Sequence, residues 1–145
     1  MLVHQILRNK RTGDTVTTVT PGSTVADAAR LLSKNRIGAL VVTEDDITPA
    51  GILSERDIVR EIGRRGTDCL EDHVSAMMTR EVVTCGVEDL ADMVLARMTE
   101  RRIRHMPVMR DGRMIGLISI GDVVKARLDE LSMEKEALKG MIMGY

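Results

Sequence analysis

Two stretches, "GILSERD" at residues 51–57 and "GLISIGD" at 116–122, carry the side chains best suited to chemistry. In each, a serine stands three residues before an aspartate: Ser54 before Asp57, and Ser119 before Asp122. A hydroxyl at a strand end, beside the free amides that open a helix, can meet an anion. A carboxylate accepts two hydrogen bonds, which matches the vicinal diol of a ribose. The same spacing also makes a helix cap, with the acid placed favourably at the positive end of the helix dipole. One copy alone would favour the cap. Two copies at equivalent places of a repeat favour a ligand, because capping does not require the same residues each time. Gly51 and Gly116 open the two stretches, where they permit a tight turn or the close approach of a ligand to the backbone.

The elements that must position these groups are themselves duplicated. Residues 16–42 align with 82–108 at an offset of 66, which sets Thr18 on Thr84, Arg36 on Arg102, Ile37 on Ile103 and Val42 on Val108. The offset slips to 65 at the glycine motifs, within the turn-rich segments "TEDDITPA" and "MRDGRM", where a hairpin tolerates a change of length. Each copy reads as strand, helix, strand, hairpin, strand, helix. Ser23 or Thr24 can cap the first helix of copy one, over Val25, Ala28, Ala29 and Leu32; Asp89 takes that role in copy two, over Leu90, Ala91, Val94 and Met98. The helices that follow Asp57 and Asp122 are expected to bury Ile58, Val59 and Ile62, or Val123, Val124 and Leu128. Pro107 implies an amide position turned away from a ladder partner. The segment "EIGRRGTDCLEDHVSAMMT" reads as a connector, with Gly63, Gly66 and a polar turn.

A half of about 60 residues cannot easily cover both faces of its own sheet. Two in tandem can, packed about a pseudo-two-fold axis, and that packing leaves a symmetric pair of clefts. The expected fold is α/β (α+β), with repeat 1 over 1–66, repeat 2 over 67–128, and a C-terminal amphipathic helix over 129–145. Val124, Leu128, Leu131, Leu138 and Ile142 give that helix an apolar stripe, broken by Lys135. Such a stripe needs a covering surface, and a second copy of the chain is the expected one. Ten of the eleven methionines lie at or after Met77, suited to the irregular core of the second repeat and its contact with that copy.

Bulk properties narrow the function classes. A net charge of −1 gives no basic surface for nucleic acid, and the apolar runs are too short to span a bilayer. With no Phe or Trp, and Tyr145 the single tyrosine, a bound base would lie between aliphatic side chains. Cys69 and Cys85 are expected to be buried and reduced, in a cytoplasmic protein. His4, His73 and His105 are too scattered for a metal site, so no metal is expected. "ERRIRH" at 100–105 packs four cations, counting His105, into five residues of a nearly neutral chain, which favours phosphate contact over a merely solvated face.

The tandem "GILSERD" and "GLISIGD", with "NRIGALVV" and "RRIRHMPV" upstream and "MMTREVVT" opening the second copy, resembles a CBS-domain pair (a Bateman module) over roughly residues 1–128. The whole resembles the stand-alone bacterial form. The resemblance implies an adenine-nucleotide site in each cleft, with Asp57 and Asp122 on ribose and Ser54 and Ser119 at the hydroxyl position of the motif. It implies that Thr79, Val82, Ile103, Arg104 and His105 line the Asp57 cleft. Val16, Ile37, Gly38 and Ala39, with a start near Thr12 to Thr15, are implied for the Asp122 cleft. Arg36 and Arg102 match a position that in some relatives reaches phosphate across the module. The first repeat departs from the pattern by opening on "RNKRTGDT" in place of "MT" and by having Val41 where the second has Pro107. On these residues the Asp57 cleft is expected to be the more cationic, suited to a polyphosphate or dinucleotide, and the Asp122 cleft smaller and more neutral.

The function so implied is a non-catalytic sensor of AMP, ATP or NAD(H), acting as a homodimer on a target protein that the sequence does not name. Binding of S-adenosylmethionine is an alternative, and an interaction module with vacant clefts is another. An enzyme is disfavoured: there is no nucleophile elbow, no HExxH and no Walker lysine.

Overall fold

The computed structural model describes residues 1–10 and 16–144. The expected duplication appears as two three-stranded sheets of the same design. In the first, β1 (Thr18–Val19) runs parallel to β2 (Ala39–Val42), which pairs antiparallel with β3 (Gly51–Ser54). In the second, β4 (Cys85–Gly86), β5 (His105–Arg110) and β6 (Arg113–Ser119) repeat that order. The connections explain the mixture. A parallel pair needs a crossover, which α2 (Val25–Asn35) and α5 (Ala91–Arg101) supply, whereas the antiparallel pairs close by hairpins. Pro107 lies opposite Leu117, one residue before β4 joins at Val108, and its carbonyl faces the Cys85 thiol at 3.8 Å. The ring nitrogen thus sits where the ladder to β4 has not begun.

Helix ends are set by short-range bonds. Thr24 caps α2, its Oγ1 accepting from the Asp27 N–H at 3.1 Å. Asp89, expected to do the same for α5, does not. Its carboxylate accepts from the Gly86 N–H at 2.9 Å and closes the turn leaving β4, while the N-cap position falls to Leu90 with no side-chain bond. Both crossover helices stop at an arginine in the left-handed region, Arg36 at φ 53° and Arg102 at φ 55°.

The core comes in two clusters, and the chain exchanges pieces between them. The first gathers Val25, Leu32, Leu40, Val42, Leu53 and Ile58 around β2; the second gathers Val94, Met98, Met106, Val108, Ile118 and Val123 around β5. Each full burial of such a side chain is worth roughly 1.5–3 kcal/mol. Val3 and Ile6 of α1 (Val3–Arg8), however, pack in the second cluster, and Val74 of α4 (Val74–Met77) packs in the first. The exchange is pinned by backbone bonds. The Val3 N–H donates to the Asp89 carbonyl at 2.9 Å, and the Val74 N–H to the Ser23 carbonyl at 2.8 Å. Each half therefore lends its lead-in helix to the other.

The connector reading of the middle segment is corrected accordingly. Gly63 lies inside α3 (Glu55–Arg65), a 3-10 turn follows at Thr67–Glu71, and α4 then belongs to the first core. Met77 and Met78 pack on that first core as well, so not all the late methionines serve the second repeat. The last helix, α6 (Ile120–Met143), is continuous from Asp122 through the tail, about 36 Å at 1.5 Å per residue. Ile58 and Val123 are buried as expected, but Val59 is 68% exposed, Val124 40% and Leu128 61%. Val59 and Val124 are equivalent positions of the repeat, so both halves leave the same apolar spot uncovered.

Candidate functional site

Ser54 ends β3 and Ser119 ends β6, and each is the N-cap of the helix that follows. Asp57 donates its N–H to the Ser54 hydroxyl at 3.2 Å, and its Oδ2 accepts from the Ser54 N–H at 2.9 Å. Asp122 repeats both bonds with Ser119, at 3.1 and 2.8 Å. The capping box is thus real in both halves. It does not exhaust the carboxylates, since each offers about four lone-pair sites and the cap occupies one oxygen. The cap also fixes the rotamer, which leaves the remaining sites preorganised beside a cavity. Asp57 is 8% exposed, and its Oδ1 accepts from Arg60 at 2.8 Å. The Asp122 Oδ2 also takes the Lys10 ammonium at 2.9 Å.

A cavity of about 270 Å³ lies beside Asp57. Of the residues expected there, Ser54, Asp57, Thr79, Arg102, Ile103, Arg104 and His105 line it. Val82 does not; its neighbour Val83 takes the place. Thr79 is held at the wall by two backbone bonds with Ile52, at 3.0 and 2.9 Å, which add it to the edge of β3. Residues not anticipated are Ile52, Arg56 and Arg60, with Glu55 and Glu81 bringing negative charge.

A cavity of about 890 Å³ lies beside Asp122. Val16, Arg36, Ile37, Gly38, Ala39, Ser119 and Asp122 all line it, while the expected start near Thr12 to Thr15 falls outside the described residues. The sequence did not reveal His4, Leu7, Arg8 and Lys10, which arrive from α1 and its end, nor Arg110 from β5. Their arrival reverses the expected asymmetry. Among the described residues Arg8, Lys10, Arg36 and Arg110 face one acid, Asp122, whereas Arg56, Arg60, Arg102 and Arg104 face Glu55, Asp57 and Glu81. The Asp122 cleft is both the larger and the more cationic. The earlier expectation weighed "ERRIRH" without the helix that the first half lends across.

His105 and Gly38 line both cavities, so they form the wall between them. A Cβ on Gly38 would stand 3.4 Å from His105 Nε2. Burial, reinforced by the Lys10 and Arg104 charges, pushes the His105 imidazole below its usual value, and Asp122 and Glu55 oppose that only in part. The ring is therefore neutral at pH 7. Among the described residues no group of three His, Cys, Asp or Glu side chains could hold a metal ion, and no helix is long and apolar enough to cross a membrane.

Two equivalent halves, each with a capped aspartate on the wall of a cleft, define a class of tandem regulatory module. Residues 12–64 and 74–129 match the CBS domain, so the chain belongs to the CBS-domain family and carries a pair of them. The crystal structure of the CBS-domain containing protein ATU1752 from Agrobacterium tumefaciens is 42% identical and superposes with a TM-score of 0.81, over 88% of this chain and 99% of that one. CBSX3 of Arabidopsis thaliana, a CBS domain-containing protein described as mitochondrial, is 38% identical over 86% of the chain. The chain spans 63% of CBSX3 and 22–23% of several longer plant relatives. The CBS pair of protein MJ0100, solved in complex with 5′-methylthioadenosine and S-adenosyl-L-methionine, shares the fold at a TM-score of 0.77 and 23% identity, over 90% of this chain and 98% of that one.

Proposed function

We propose that this CBS pair senses adenine nucleotides, holding one in each cleft by its ribose and phosphates without turning it over. The observation that carries the reading is the repeated Ser-x-x-Asp box, pinned in both halves at the wall of a cavity. A diol can donate to the carboxylate sites that the cap leaves free, and Ile37 and Ile103 offer the aliphatic faces a base needs in a chain so poor in aromatics. The cations around both clefts favour AMP, ATP or NAD(H). An adenosyl compound in the MJ0100 complex supports the use of this fold for such ligands.

The signal passes to a second copy of the chain and from there to a target protein in the cytoplasm. The uncovered apolar stripe of α6, with Val59 and Val124 at equivalent places, suits a two-fold partner. A ligand shifts such an assembly only through different affinity for its states.

Thermal melting with AMP, ATP, NADH and S-adenosylmethionine tests the reading. A ligand at a hundred times its dissociation constant adds about 2.7 kcal/mol to stability and raises the melting temperature. No shift with any of the four would leave an interaction module with vacant clefts. Release of a product from any of them would make it an enzyme.

A further inference from the structure

Both clefts end on one side chain. His105 opens β5, pairs with Ser119 in the ladder, and lines the Asp57 and the Asp122 cavities at once, with Gly38 against its Nε2. The wall is pinned by the same bond in each half. The Gly38 carbonyl accepts from the Glu55 N–H at 2.9 Å, and the Arg104 carbonyl from the Ile120 N–H at 2.8 Å. The duplication is not symmetric at this point. Ala39, which pairs with Ser54 as His105 pairs with Ser119, brings a methyl and lines the Asp122 cavity but not the Asp57 one. The two cavities therefore share a single imidazole.

Among the described residues the charged groups around the ring are Lys10 from the end of α1, Arg104 beside it in the chain, Asp122 of α6 and Glu55 of α3. Burial acts first and Lys10 next, and with Arg104 they outweigh the two acids, so the ring is neutral at pH 7. A phosphate in either cavity changes that balance. Arg102 and Arg104 draw it toward the wall on the Asp57 side, Lys10 and Arg36 on the Asp122 side. An anion so placed favours the charged form of the imidazole. We propose that His105 couples the clefts: a phosphate-bearing ligand in either one brings a proton from solvent onto the same imidazole, and that charge then favours an anion in the other. This rests on the clefts being nucleotide sites, and it adds how the filling of one is felt by the other. Acidity enters the same equilibrium, because binding that takes up a proton tightens as pH falls. Two ligands share one proton, so their mutual effect peaks where the ring is half-protonated with one ligand bound. It is on the order of threefold there, for a one-unit rise per ligand, and fades at higher and lower pH.

The test reads the ring itself. Proton–carbon NMR of the full chain, with the His105 ring signal assigned through the backbone, gives its titration midpoint with and without saturating AMP. The midpoint should rise by about one unit, a factor of ten in proton affinity. It should also rise in Asp57→Ala and in Asp122→Ala, at AMP concentrations that fill the intact cleft, each compared with its own unliganded form. His4, which lines the Asp122 cavity but not the Asp57 one, should stay still in Asp122→Ala. Calorimetry supplies the functional readout: the affinity of the unaltered chain for AMP, relative to that of His105→Gln, should grow severalfold between pH 8 and pH 6. A midpoint that moves for one cleft alone, or for neither, would overturn the coupling while leaving nucleotide binding standing, as would a relative affinity that ignores pH. If AMP binds neither the unaltered chain nor the variants, the nucleotide reading itself falls and takes this inference with it.

Discussion

The thioether of Met78 occupies the space that a side chain on Gly51 would need: a Cβ built there would stand 2.5 Å from Met78 Sδ and 3.0 Å from the Thr79 carbonyl oxygen. Gly116 has the same relation to Leu7, at 2.8 Å from a terminal methyl. These glycines thus admit the helix lent by the other half, and the close approach is by a side chain, where the sequence had pointed to a turn or a ligand. Gly51→Ala should cost about 1–3 kcal/mol by overpacking. Gly116→Ala should cost less, because only flexible methyls must yield. Urea midpoints measure both, and the Gly51→Ala cost should shrink in a Met78→Ala background. Equal costs with no coupling would contradict the exchanged packing.

His105 gives the protein a pH dependence with a definite sign. Burial first, then Lys10, holds its folded value below the ordinary 6.5, so the unfolded chain binds the extra proton. Stability should be level above pH 6.5 and decline as pH falls below it. Melting temperatures between pH 8 and 5 should show that slope, and His105→Asn should flatten it. A stability that rose on acidification through this window would contradict the burial.

Cys85 should be chemically silent. Burial, with Asp89 adding to it, raises its thiol to about 12, and Cys69 is fully buried. The thiolate is the reactive form. Native protein at pH 8 should release no thionitrobenzoate from Ellman's reagent on mixing, and two equivalents once unfolded. Fast native reaction would mean the second core opens readily.

The legible parts of the molecule were those written in local pattern. The repeat, the Thr24 cap, the Ser54 and Ser119 boxes and the crossover helices each follow from neighbours a few residues apart. What escaped depends on distant pairing. Six residues of α1 carry too little periodicity to announce a helix, and nothing local says that Val3 belongs beside Val94. Lys10 entered the Asp122 cleft by that route and overturned the expected charge balance. Asp89 was misread because an aspartate closes a turn by the same bond that caps a helix. One signal was available: "LVHQIL" at 2–7 aligns with "HVSAMM" at 73–78, which would have placed Leu7 opposite Met78.

The most direct measurement is the stoichiometry of AMP binding to the full chain by calorimetry, repeated on Asp57→Ala and Asp122→Ala. Two molecules per chain are predicted, each substitution weakening one component by at least about tenfold, the loss of a hydrogen bond to a charged group. Binding that neither substitution alters, in variants that melt as folded proteins, would contradict the assignment of the two aspartates to a sugar diol.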